Sequence, residues 1–99
     1  MNIKSRWYLN KSPLGDAYRQ FSNVAKQKTV LDPKTKELIR LSIASVLRCN
    51  HCTEHHINDA INAGATKEEI SEALLLSSLQ SASTQLNWSR ELFEKYLGD

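Results

Sequence analysis

The sequence has few of the β-branched residues that favour sheets, few of the prolines and glycines common in disordered chains, and no long apolar run. Its 99 residues include only three valines, three glycines and two prolines, whereas leucine and alanine together supply 21. β-Branched residues favour strands and straight-chain residues favour helices, so this composition predicts an all-α fold. No run of leucine, isoleucine, valine or methionine exceeds the three leucines at 74–76, far short of a membrane span. With 40% hydrophobic and 24% charged residues, we expect one globular domain over residues 1–99.

The chain also lacks a strong net charge. A formal charge of +2 gives no reason to expect a nucleic-acid partner. The charge is unevenly distributed, however. Residues 1–48 carry ten basic and three acidic side chains, a net +7, whereas residues 49–99 carry three basic and eight acidic ones, a net −5. Such halves can pair within one subunit or between identical subunits, and a solvated basic face is an equally good interpretation.

The first 14 residues contain no apolar stretch of the length found in signal peptides. We therefore expect a cytoplasmic protein with no membrane partner. Thiols are kept reduced in that compartment, so the two cysteines of the chain favour catalysis or metal binding over a structural disulfide.

Two helix-start signals follow a predicted N-terminal arm at residues 1–12. Ser12-Pro13 and Asp32-Pro33 each combine an N-capping side chain with proline at the first helical position. The first pair predicts an amphipathic helix to about Lys28. The second predicts a helix that is apolar on most sides, and therefore the central and most buried one.

Three further helices are predicted from the second half of the chain. One begins near Asn50 and ends at Ala63, with Gly64 placed for a left-handed cap. The next opens at the capping box Thr66–Glu69 and is expected to break or bend in the polar stretch 77–84. A last helix is marked by apolar residues at helical spacing: Leu86, Trp88, Leu92, Phe93 and Tyr96. The prediction is a small bundle of about five helices.

Both cysteines and all three histidines fall within residues 49–56. If a helix begins at Asn50, Cys52 lies in its first turn, where free amides and the helix dipole stabilise a thiolate. His56 follows Cys52 by four residues on the same face and can take the thiol proton. Cys49 is close enough to convert a sulfenic acid on Cys52 into a disulfide. An activated sulfur, its base and a resolving sulfur are the parts of a thiol peroxidase.

A histidine that acts as a base needs an orienting partner, and Glu37 is the candidate. It is the one carboxylate on the otherwise apolar second helix. In an antiparallel hairpin of the second and third helices, Glu37 and His56 come within one or two turns of each other. The alternative is a surface carboxylate that pairs with Lys34 or Arg40 across one turn. The spacing alone leaves both interpretations open.

These residues resemble the alkylhydroperoxidase D-like branch of the carboxymuconolactone decarboxylase family. The resemblance covers residues 32–79 and includes the segment 63–70. It implies an all-helical domain that reduces peroxides through a Cys-x-x-Cys pair. It further implies Cys52 as the peroxidatic cysteine and Cys49 as its disulfide partner, and it assigns the proton relay to three residues: Glu37, His51 and His56. Single-unit relatives usually assemble as trimers or hexamers, so the resemblance also implies a homo-oligomer.

Three other interpretations are weighed against the peroxidase. A zinc ion held by Cys49, Cys52 and His56, with His51 or His55 as fourth ligand, is less favoured because structural zinc sites draw ligand pairs from separate segments. A lactone decarboxylase is the second, and a helical oligomer whose cysteines only sense oxidation is the third. His55 is expected to be a surface residue.

The expected partners are small molecules and a reductant. We expect a hydroperoxide as substrate and a dithiol, lipoyl or thioredoxin-like donor as reductant. No organic cofactor and no metal ion is expected.

Overall fold

Five α-helices account for most of the computed structural model, which describes residues 6–98. A short 3₁₀ turn at Trp7–Leu9 precedes them. The helices are α1 (Pro13–Lys26), α2 (Pro33–Val46), α3 (Asn50–Asn62), α4 (Lys67–Asn87) and α5 (Arg90–Leu97). The predicted all-α class is confirmed, and the described residues contain no strand. Residues 1–5 of the predicted arm lie outside the described part.

The helix starts follow the capping side chains that the sequence displays. Ser12 and Asp32 each accept the backbone N–H three residues ahead, at 3.0 and 2.7 Å. Thr66 and Glu69 form the predicted capping box, in which each side chain accepts the other's backbone N–H at 3.1 and 2.9 Å. These helix starts are confirmed. They could be predicted because capping depends only on residues within one turn of each other.

The predicted break in the fourth helix is wrong. Helix α4 runs unbroken for 21 residues and includes Leu86, and Trp88 is its C-cap, so the last helix begins only at Arg90. The hydroxyls of Ser77 and Ser78 both donate to the carbonyl of Leu74 at 2.9 Å. Serine hydroxyls that bond to the carbonyl of the preceding turn weaken a helix only slightly, and the stretch holds no proline or glycine to end the helix.

The packing centres on α2, which lies against both α3 and α4. Leu41 and Ala44 of α2 and Ala60 of α3 are the buried apolar residues of this unit. Helix α1 packs mainly on the 3₁₀ turn, and its apolar face is largely exposed. The predicted five-helix bundle is thus a three-helix unit with α1 and α5 at its margins.

The shape is extended for a chain of this length. The radius of gyration is 17.8 Å, whereas a compact domain of 100 residues has about 13 Å. Helix α2 is central as predicted, but several of its apolar side chains, including Ile43 and Val46, are exposed. Within residues 6–98, no helix combines the length and the apolarity that crossing a membrane requires.

Candidate active site

The hairpin between α2 and α3 builds the candidate site. Helix α2 ends in two hydrogen bonds: the N–H of Arg48 donates to Ser45 at 3.1 Å, and that of Cys49 donates to Ala44 at 3.0 Å. This is the bond pattern of a Schellman motif, with Arg48 in the left-handed region at φ +59°. Cys49 therefore both closes α2 and caps α3. Because the turn is this tight, the chain reverses at once and the two helices pack side by side.

A buried hydrogen bond joins the two helices. Glu37 and His56, 19 residues apart, are each only 6% exposed, and His56 Nδ1 lies 2.7 Å from Glu37 Oε2. A carboxylate only accepts hydrogen bonds, so Nδ1 donates and Nε2 remains the basic nitrogen of the ring. The structure thus brings the two residues into contact. Glu37 is not the surface carboxylate of the alternative interpretation.

Arg40 flanks this pair from one turn along α2. Its Nη1 lies 4.0 Å from Glu37 Oε1 and is buried without a hydrogen-bond partner in the described part of the chain. The guanidinium places a positive charge beside the carboxylate on the side away from His56. The sequence suggests Arg40 only as a partner of a surface carboxylate. Its position three residues after Glu37 was the available signal for its proximity.

The two cysteines are joined by a disulfide at the start of α3, with their Cα atoms 5.2 Å apart. Cys49 is the N-cap residue, and its Sγ accepts the backbone N–H of Cys52 at 3.2 Å. The predicted start of the helix at Asn50 is confirmed, and Cys52 lies in the first turn. The free amide of the first turn donates to the sulfur of Cys49, however, and not to that of Cys52 as predicted. Both cysteines are half-buried.

The remaining histidines lie at the surface. His51 is exposed in the first turn of α3 and takes no part in the contact between Glu37 and His56. His55 is exposed, as predicted, and its Nε2 lies 3.1 Å from Asp59 Oδ2. Its ring stands edge-on to that of His56, with centroids 5.2 Å apart. The sequence analysis did not single out Asp59, although its spacing of four residues from His55 predicts their contact.

Lys34, the other proposed partner of Glu37, pairs with Glu69 instead. Their charged atoms are 2.9 Å apart and link the first turns of α2 and α4. The pKa of Glu69 lies below its ordinary value of 4.5, first because the backbone N–H of Thr66 donates to it and then because Lys34 does. The same contact raises the pKa of Lys34. This pair holds α4 against the hairpin without entering the site.

Comparisons with known proteins bear on the family and the fold of this chain. Residues 13–95 match the model of the carboxymuconolactone decarboxylase family. A crystal structure of a protein from Methanobacterium thermoautotrophicum superposes with a TM-score of 0.75 at 25% identity, covering 85% of this chain and 97% of that one. Its likeness supports the all-helical fold.

Two curated relatives extend the comparison. The chain is 39% identical over 61 residues to uncharacterized protein 4 in the cox locus of Paracoccus denitrificans, covering 62% of this chain and 55% of that protein. It is 29% identical over 82 residues to the alkyl hydroperoxide reductase AhpD of Corynebacterium aurimucosum, covering 79% of this chain and 46% of that protein. The chain thus spans about half the length of these relatives.

Proposed function

This chain belongs to the carboxymuconolactone decarboxylase family, and we propose that it is a thiol-dependent peroxidase of the alkylhydroperoxidase D-like branch. The observation that carries the proposal is the Cys49–Cys52 disulfide at the start of the helix that also holds His56. The ring of His56 is fixed by the buried Glu37 carboxylate at 2.7 Å. A cysteine pair that can alternate between dithiol and disulfide, on the same helix as a positioned acid–base group, supports the two-electron reduction of a peroxide. The likeness to a reductase named for alkyl hydroperoxides supports the same chemistry.

In the proposed peroxide step, the thiolate of Cys52 attacks an oxygen of the hydroperoxide. A sulfur–oxygen bond forms, the oxygen–oxygen bond breaks, and the departing alkoxide takes a proton supplied through His56 to leave as an alcohol. The sulfur of Cys49 then attacks the Cys52 sulfenic acid, so that the disulfide forms and water leaves. Two thiols and one hydroperoxide thereby give one disulfide, one alcohol and one water. Glu37 steadies the imidazolium that exists between proton transfers, and His51 is proposed as an outer member of the relay.

In the proposed reductive step, an external dithiol of the lipoyl or thioredoxin-like class attacks Cys52. Cys49 leaves as a thiolate, and a second attack by the donor closes the donor's own disulfide and frees Cys52. The bond from the Cys52 amide to Cys49 Sγ supports this direction, because a hydrogen bond to sulfur stabilises the departing thiolate. The position of His56 four residues after Cys52 favours Cys52 as the attacking sulfur, and Cys49 is then the resolving one.

We propose that the active form is a homo-oligomer, a trimer or hexamer rather than a dimer. The chain exposes 8219 Å², whereas a compact monomer of its mass exposes about 5,700 Å². The difference between these two exposed areas is larger than the roughly 800 Å² that each partner buries in a standard interface. An apolar groove of about 450 Å³ between α2 and α4, lined by Val46, Leu47 and Trp88 among others, is part of this exposed surface. The opposite charges of the two halves of the chain also suit association between copies.

A peroxide-consumption assay against a panel of dithiol donors tests the function. Repeated turnover with a lipoyl or thioredoxin-like donor, abolished in Cys52→Ser and retained in the exposed-site control Glu54→Gln, is the expected result. A single equivalent of oxidation that then stops would instead indicate a redox sensor. Activity on a muconolactone that persists after both cysteines are alkylated would indicate a decarboxylase.

A further inference from the structure

A second cluster of chemically capable side chains lies on α3, one turn beyond the cysteines. His55, His56 and Asp59 each offer a ligand atom, and these atoms lie within 4.8 Å of one another. His55 Nε2 and Asp59 Oδ2 are already 3.1 Å apart. Two donors on one tetrahedral zinc ion, each about 2.0–2.1 Å from the metal, are about 3.3 Å apart. This pair therefore has the separation that a shared zinc ion requires.

The third member of the cluster is oriented as a zinc ligand would be. The side chain of His56 is 92% buried, since only 8% of it is exposed, and Glu37 holds its Nδ1 at 2.7 Å. Zinc-ligating histidines almost always give one ring nitrogen to a carboxylate, carbonyl or water, which fixes the tautomer and makes the other nitrogen a better ligand. Here the carboxylate fixes Nε2 as the nitrogen with the free lone pair. The hydrogen bond from His56 to Glu37, proposed above to support proton transfer, is therefore also the kind of bond that orients a zinc-ligating histidine.

We propose that His55, His56 and Asp59 form a binding site for zinc or a similar divalent transition-metal ion. Two imidazoles and a carboxylate are a known zinc donor set, with water completing the tetrahedron. His56 is held by Glu37, whereas His55 and Asp59 are 54% and 33% exposed, so an ion from solvent can reach them. This ligand set differs from the cysteine-based one weighed from the sequence, because it needs neither thiol and is complete in the disulfide form.

Metal at this site opposes the proposed peroxidase chemistry. A zinc ion on Nε2 of His56 occupies the lone pair that would otherwise carry the proton to the departing alkoxide. We therefore expect zinc to inhibit turnover reversibly. This consequence rests on the proposed function, whereas binding itself does not.

The binding test uses the full chain without an affinity tag, with its cysteines oxidised so that no thiol competes for metal. Isothermal titration with zinc chloride is expected to show one ion bound per chain. His55→Ala and Asp59→Asn are each expected to weaken binding at least about tenfold, the lower end of the loss seen for outer-shell residues. Glu54→Gln, an exposed acid on the same helix, is the matched control and retains the affinity of the unaltered protein. Magnesium, which prefers oxygen ligands, is not expected to bind.

The proposal is overturned if zinc does not bind the oxidised protein. It is equally overturned if His55→Ala and Asp59→Asn, shown to be folded by circular dichroism, bind zinc as tightly as the unaltered chain. A loss of affinity in Glu54→Gln equal to theirs would indicate diffuse surface binding and would also refute the site.

A turnover test then links the site to the chemistry. His55→Ala and Asp59→Asn retain metal-free peroxide turnover and lose most of their sensitivity to zinc, whereas the unaltered protein is inhibited and recovers on chelation. Equal zinc inhibition of the variants and the unaltered chain contradicts the coupling. Zinc binding in a protein that shows no peroxide turnover would leave the metal site standing and refute the proposed function instead.

Discussion

The contact between Glu37 and His56 allows a quantitative test of whether these residues act as one unit. Glu37→Gln keeps the shape of the side chain but removes the charge that the His56 Nδ1–H faces at 2.7 Å. Losing a positioned acid or base costs about 10²-fold or more in rate, which corresponds to about 2.7 kcal/mol of the activation barrier. His56→Asn removes the proton carrier itself and is expected to cost at least as much.

The double variant distinguishes a shared relay from two separate contributions. Independent losses of about 10²-fold multiply to about 10⁴-fold. Residues that act as a unit are strongly non-additive, so the double variant should be little slower than the slower single one. The assay is the initial rate of peroxide reduction with saturating dithiol donor, and Glu54→Gln serves as the exposed-carboxylate control. Fully multiplicative losses would refute the shared relay.

Stability must be followed in the same experiment, because both groups are buried. His56→Asn leaves the Glu37 carboxylate with only Arg40 nearby, at 4.0 Å. Leaving a buried carboxylate without its hydrogen-bond partner costs more than the roughly 1–3 kcal/mol of a neutral group, a large part of the roughly 5–15 kcal/mol that holds a typical domain folded. The double variant has no buried charge at this pair and should be more stable than His56→Asn. Urea unfolding followed by circular dichroism measures this, and a double variant no more stable than His56→Asn would contradict the inference that an unpaired buried carboxylate destabilises that single variant.

Three further predictions concern the sulfurs, the assembly and the capping box. After one equivalent of peroxide, Cys49→Ser should accumulate a dimedone-reactive sulfenic acid on Cys52, whereas Cys52→Ser should stay largely unlabelled. If dimedone labels Cys49 in Cys52→Ser as fast as it labels the unaltered protein, Cys49 is the attacking sulfur instead. Sedimentation at micromolar concentration should show a species larger than the 11.2 kDa chain, and the melting temperature should rise with protein concentration; a monomer at all concentrations refutes the assembly. The lowered pKa of Glu69 means that its contribution to stability is complete above pH 4.5 and is lost as pH falls through the lowered value. Glu69→Gln should therefore flatten the acid limb of the stability profile, and an unchanged limb would contradict this.

Features that depend on near neighbours in the chain were predictable from the sequence. The capping side chains Ser12, Asp32 and Thr66 mark the observed helix starts. Gly64 takes the left-handed conformation expected of it, at φ +94°. The wrong prediction was also local: a polar stretch at 77–84 suggests a break, yet serine hydroxyls there bond to the helix's own carbonyls.

Long-range contacts were only partly predictable. The spacing brought Glu37 near His56 but left a partner in Lys34 or Arg40 equally open. The structure decided between these interpretations because α2 and α3 pack closely enough to bury the pair, while Lys34 reaches Glu69 on another helix. No rule of sequence spacing distinguishes a carboxylate that faces a neighbouring helix from one that faces solvent, since both lie on a helix with the same period.

By itself, the sequence determined the all-α class, the helix starts and the clustering of two cysteines and three histidines at one helix end. These properties follow from composition and from interactions within one or two turns. Only the tertiary structure decided that Glu37 is buried against His56, that Cys49 rather than Cys52 receives the capping N–H, and that His55 and Asp59 stand beside the same imidazole. The physical reason is the tight turn at Arg48, whose left-handed backbone sets how α2 and α3 meet and therefore which side chains share a buried surface.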